Sequence, residues 1–252
     1  MKISICIYHF LVLSWYIFLN CHVPQLGIEK EDLKFTLKGG HRKYLTLLNL
    51  LLQAIFFGVA CLDDVLKIIK GKKDIKFLTA FRDLLFTTLA FPISTFVFSA
   101  FWGLFLYNRD LIYPKILDGI LPMWANHAMH TLIFPLSLAE VFLTPHRYPS
   151  RKTGFTILGI SGLAYIIRIL WLHSETGQWV YPVFEKLSPV VLMAFFCLSY
   201  VFSAGLYLLG EKLSHWKWGF LQVPPGSSLG AISFLTLLHC GLKLVSALTP
   251  LL

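Results

Sequence analysis

Six stretches of this chain, approximately 3–23, 44–62, 84–107, 120–144, 154–172 and 188–209, are apolar nearly all the way round. An amphipathic helix of a water-soluble core would show a polar face, and these do not. Each is close to the roughly 20 residues that a helix needs to cross the hydrocarbon of a bilayer. With 56% hydrophobic and only 14% charged residues, the composition excludes an ordinary soluble domain. The expectation is an all-α, polytopic membrane helix bundle of six spans. A seventh candidate lies at about 228–251, interrupted by His239 and Lys243.

The first run follows Met1 and Lys2 directly, and no small-residue cleavage site follows it, so it reads as a retained helix. The five cysteines are odd in number and scattered, which gives neither a disulfide framework nor a zinc ligand set. The net charge of +9 does not point to nucleic acid, because the Lys and Arg residues lie in short loops between spans. Loop charge reports orientation instead. For six spans, twelve of these residues fall on the side of the N-terminus and eight on the other, which places the N-terminus in the cytosol. The basic loop Lys67–Lys76 is then an ordinary cytoplasmic anchor beside anionic head groups. Pro92 and Pro135 sit inside spans and predict kinks.

Polar residues inside a span are costly, so where they point carries information. Taking the fourth run as one helix with about 100° per residue, Asn126, His130, Ser137, Glu140 and Thr144 share a stripe. His127 and Thr131 lie to its side. On the second run Arg42, Thr46, Asn49, Gln53 and Asp64 form a similar seam, on which Thr46 carries the one hydroxyl. Both Thr46 and His130 fall in the outer halves of their spans. An imidazole within reach of a threonine hydroxyl removes its proton and makes it a nucleophile toward an ester carbonyl. Asn126, one turn before His130, is a candidate to orient the ring. Arg168, about a turn from the outer end of the fifth span, is a candidate to hold a substrate carboxylate; snorkelling of its long side chain to the interface accounts for it equally well. His127 and His130 lack the i, i+4 spacing of a helical zinc pair, so no metal or other cofactor is expected. Spacing alone leaves the seams open to a second account, a non-enzymatic membrane regulator or scaffold in which Asn, Gln and Thr only tie helices together.

The stretches Leu45-Thr46-Leu47-Leu48-Asn49-Leu50, Cys61-Leu62-Asp63-Asp64 and Asn126-His127-Ala128-Met129-His130-Thr131 carry a specific likeness. So do 74–83, 106–114 and 215–219. Over roughly 1–219 the chain resembles the androgen-induced family of polytopic membrane hydrolases. The resemblance implies a membrane-embedded hydrolase domain over 1–219 with a threonine nucleophile at Thr46 and a catalytic histidine at His130. It implies cleavage of fatty acid esters of hydroxy fatty acids drawn from the bilayer, with no cofactor, and membrane lipids as surroundings. It further implies residence in the plasma membrane, including caveolae, or the endoplasmic reticulum, and a link to endothelial coagulation control through tissue factor pathway inhibitor. The tail 220–252, rich in Pro and Gly and then hydrophobic, departs from the family pattern.

Overall fold

A computed structural model describes residues 3–26, 43–69, 76–220 and 243. The described residues are mostly helical, and none of them forms a strand. The helices are α1 (Ile3–His22), α2 (Leu45–Ile69), α3 (Lys76–Leu85), α4 (Phe91–Asn108), α5 (Met123–His130), α6 (Ile133–Leu143), α7 (Arg151–Thr176) and α8 (Pro189–Phe220). Among them, five elements are long and apolar enough to cross a membrane: Ile3–Gln25, Leu45–Ile69, Lys76–Leu111, Arg151–Thr176 and Pro189–Gly219. The tail beyond residue 220, with the seventh candidate run at 228–251, lies outside the described residues save Lys243, and so does Arg42.

The fourth apolar run departs from expectation. It is not one helix but two, α5 and α6, meeting end to end at Thr131-Leu132. Pro135 has no N–H to give to the carbonyl one turn back, so the ladder cannot run through. The N–H groups of Thr131 and Leu132 both turn to the His127 carbonyl, at 2.8 and 3.0 Å. The stripe that assumed a continuous helix is thereby cut after His130. Pro92 has a related effect. A π-helical turn, Phe86–Ala90, joins α3 to α4 just before it, and Gln53 on α2 donates to the Ala90 carbonyl at 2.9 Å.

α1 packs along α2, and their shared face is the centre of the core, with Tyr16, Leu19, Leu50, Phe56, Phe57 and Ala60 all fully buried. The outer faces of α7 and α8 are different. Ile160, Leu163, Ile167, Trp171, Val190, Met193, Leu198 and Val201 stand exposed there. So continuous an apolar surface would be a liability in water and is the natural surface of a helix bathed in lipid.

Candidate active site

The first turn of α2 and the last turn of α5 meet, and they bring Thr46 against His130. Thr46 Oγ1 lies 3.2 Å from His130 Nε2. The other ring nitrogen, Nδ1, faces two oxygens of Asn126: the side-chain Oδ1 at 2.5 Å and the backbone carbonyl at 3.1 Å. A backbone carbonyl only accepts, so Nδ1 carries the proton and donates. That tautomer leaves a lone pair on Nε2, and the Thr46 hydroxyl donates to it. The Phe101 ring lies flat on the imidazole, with centroids 3.7 Å apart and planes 9° from parallel. His130 is therefore fixed in the plane by Asn126 and across the plane by Phe101, and it is only 7% exposed.

Two tyrosines hold the other half of the pair. The N–H of Leu45, the residue before Thr46, donates to the Tyr181 hydroxyl at 2.9 Å. Tyr165 and Tyr181 hydroxyls are 3.2 Å apart, and Tyr165 donates to the Lys43 carbonyl at 3.2 Å. Since Tyr165 spends its proton on Lys43, Tyr181 is the donor between the two. Burial pushes the Tyr181 phenol above its usual range, so it keeps the proton this chain requires. The first N–H of a helix has no intrahelical partner, and here α7 and the loop after it supply one.

Thr46 and His130 open onto a cavity of about 900 Å3 between α2, α4, α7 and α8, walled almost wholly by apolar side chains. That is the upper part of the range that binds small amphiphilic ligands. Asn126 stands behind His130, off the cavity wall. Arg168 is half-buried on α7; its neighbours Tyr165, Ile166, Ile167 and Ile169 line the cavity, and Arg168 does not. His127 is turned elsewhere, with Nδ1 3.0 Å from Thr131 Oγ1 and its ring beside Trp102. Asn49 and Gln53 bond to one another at 3.1 Å, as packing residues do. Among the described residues no group of three or more His, Cys, Asp or Glu side chains is arranged to hold a metal ion.

The lower part of the bundle holds a second polar cluster. His9 on α1 reaches Asp64 with Nδ1 (2.8 Å) and Glu140 with Nε2 (3.0 Å). His146, after α6, reaches the other Glu140 oxygen (2.9 Å) and Asp83 (3.0 Å). Arg82 joins Asp83 to Asp63, and Lys67 and Thr79 also bond Asp63. Sequence reasoning singled out Glu140 and Asp64 as members of polar stripes but not their partners. Tyr165 and Tyr181 it missed altogether, because a tyrosine among apolar residues is commonplace at a membrane interface.

Comparison with known proteins agrees with the motifs. The chain is 69% identical to human androgen-dependent TFPI-regulating protein over 223 residues, which cover 88% of this chain and 97% of that one. The mouse protein of the same name is 64% identical over the same shares. Human androgen-induced gene 1 protein is 38% identical over 187 residues, 71% of this chain and 79% of that one. No solved structure matches. The FAR-17a/AIG1-like protein model matches residues 4–215, and the chain belongs to that family of membrane proteins.

Proposed function

We propose that this protein is an intramembrane threonine hydrolase that cleaves fatty acid esters of hydroxy fatty acids into a fatty acid and a hydroxy fatty acid. The observation that carries the reading is the Thr46–His130–Asn126 chain of hydrogen bonds on the wall of an apolar cavity. In the first half-reaction Thr46 Oγ1 forms a bond to the ester carbonyl carbon while His130 Nε2 takes its proton. The tetrahedral intermediate collapses, the ester C–O bond breaks, and His130 returns the proton to the departing hydroxy fatty acid. In the second half, water gives its proton to His130 and attacks the acyl-threonine. The fatty acid leaves, and the proton goes back to Thr46. Asn126 accepts from Nδ1–H throughout and so supports the imidazolium that forms in each half, without taking the proton itself. No metal or cofactor takes part in these steps.

The wider setting follows the relatives. Regulation of TFPI is what the name of the human and mouse relatives says of them; we extend it to this chain, together with residence in the plasma membrane, including its caveolae, or in the endoplasmic reticulum, and a cytosolic N-terminus. A non-enzymatic regulator is the alternative, and Gln53, which ties α2 to the Ala90 carbonyl, behaves as it requires. Labelling with an alkyl fluorophosphonate separates the two. The hydrolase reading expects the wild-type protein to be labelled and Thr46→Ala not to be. Equal labelling of both, or of neither, would leave the scaffold account standing.

A further inference from the structure

The cavity extends beyond the Thr46–His130 pair into a cleft between α7 and α8, and two positions on its wall, Gly159 and Gly162, have no side chain. On α7 the lining residues Leu158, Gly159, Gly162, Tyr165, Ile166 and Ile169 recur at helical spacing. Tyr165 marks the level of the reacting pair, because its hydroxyl bonds the Lys43 carbonyl beside α2's first turn. Gly162 lies three residues nearer Arg151, roughly 4.5 Å along the axis, and Gly159 as far again. The facing wall is α8, with Phe196, Ser199 and Ser203.

The two ends of the cleft are closed in different ways. Toward Arg151 the helices are pinned together: the Tyr200 ring comes within 3.4 Å of where a Gly159 Cβ would stand, and its hydroxyl donates to the Phe155 carbonyl at 3.2 Å. Further along, the Tyr207 ring occupies the place of a Gly154 side chain. At the other end Phe184 packs against Phe195 and Phe196. Gly162 lies between these closures and is exposed, and a Cβ added there would meet no atom within 4 Å. The cleft is thus filled at both ends and open at its side, where the bilayer would be.

We infer that the acyl chain of the ester lies in this α7–α8 cleft, reached sideways from the bilayer, and that the missing side chain at Gly162 sets how long a chain is accepted. The inference rests on the hydrolase reading above. The acyl arm is the one assigned because it stays covalently attached to Thr46 after the first half-reaction. It must remain held while water enters, whereas the alcohol arm departs. An apolar slot stopped at both ends suits the arm that stays. Since α7 leads from Tyr165 to Gly162 to Gly159, bulk at 162 obstructs the chain several carbons from the carbonyl and leaves the carbonyl's own place free.

The test is the full-length protein in detergent micelles, assayed on p-nitrophenyl esters from butyrate to palmitate, with Gly162 replaced by Ala, Leu and Phe. Each methylene kept out of apolar surroundings costs roughly fourfold. The ratio of kcat/KM for palmitate to that for butyrate should therefore fall stepwise through the series, by at least tenfold in Gly162→Phe. Esters of long-chain alcohols with acetic acid should not show the trend. If the ratio stays at the wild-type value in all three variants while Thr46→Ala abolishes turnover, the chain lies elsewhere and the hydrolase reading survives. If the trend follows the alcohol arm instead, the assignment of the acyl arm is overturned. If the wild-type protein shows no Thr46-dependent turnover of any ester, both readings fall. Gly162→Ala changes volume least, so the slope of the series is readable even where Gly162→Phe fails to fold.

Discussion

The two polar clusters of this molecule are both buried in a membrane bundle and both centred on histidine, yet they are built in opposite ways. At His130 the imidazole faces an amide and a hydroxyl, with no charged side chain bonded to it. At His9 and His146 each of four ring nitrogens faces a carboxylate. Every one of those contacts is a nitrogen–carboxylate hydrogen bond, and Lys67 and Arg82 bond Asp63 and Asp83 beside them. An imidazole engaged by carboxylates on both sides has no free nitrogen to lend and works as a clasp between α1, α2, α3 and α6. An imidazole with one nitrogen tied to an amide and the other bonded to a hydroxyl is arranged as the proposed base requires. The same residue in the same apolar surroundings takes its role from whether its partners are charged.

The sharpest break of that comparison is at the neutral site. Thr46→Ala and His130→Ala should each abolish ester turnover, and the double variant should be no slower than either, since the pair acts as one unit. Turnover within tenfold of wild type in either single variant would reduce the pair to packing residues. Next comes the clasp. Glu140→Gln takes from His9 and His146 the carboxylate they share, and removing one partner from a buried ion pair costs about 3–5 kcal/mol. The expected result is a large drop in thermal midpoint in detergent, while the fraction that remains folded still labels at Thr46. A normal midpoint would mean that the lower cluster does not hold the bundle together.

Much of this could be read from the sequence, and the reasons it stops are specific. Thr46, His130 and Asn126 were legible because helical periodicity holds within α2 and within α5, so a polar residue's angle predicts its neighbours. The stripe running on to Glu140 was not one site but two, since the break at Thr131-Leu132 sends its upper and lower members to different partners. Helical angle made Asp64 and Glu140 conspicuous as members of polar stripes. Their pairing with His9 and His146 depends on which helices pack, which no local pattern records. Arg168 stood out for its cost in a span, yet depth on a helix does not specify which way a side chain turns.

Smaller effects sharpen the contrast further. Tyr181→Phe leaves the Leu45 N–H without its acceptor, a loss of ~1–3 kcal/mol for a buried donor. Since the phenol touches α2's first turn, kcat should fall about tenfold with KM nearly unchanged; a change in KM alone would mean that Tyr181 only shapes the cavity wall. Smallest of all, His127→Ala should retain activity within about threefold, because its ring serves Thr131 and Trp102 rather than Thr46. Arg168→Gln belongs in the same range. A tenfold change in the preference for a free acid over its methyl ester would bring its guanidinium into the site after all.

The interruption between α5 and α6 has a consequence for how this chain tolerates change over generations. A straight helix would transmit a shift at Glu140 up the same rod to His130, and each substitution below would have to be judged by its effect above. With the rod cut, substitutions far apart and sharing no partner add independently. The lower clasp and the upper pair are then joined through α2, which carries Thr46 and Asp64 on one unbroken helix, and not through α5 and α6. Substitutions on the α6 side of the break are the ones a lineage can make with least effect at His130.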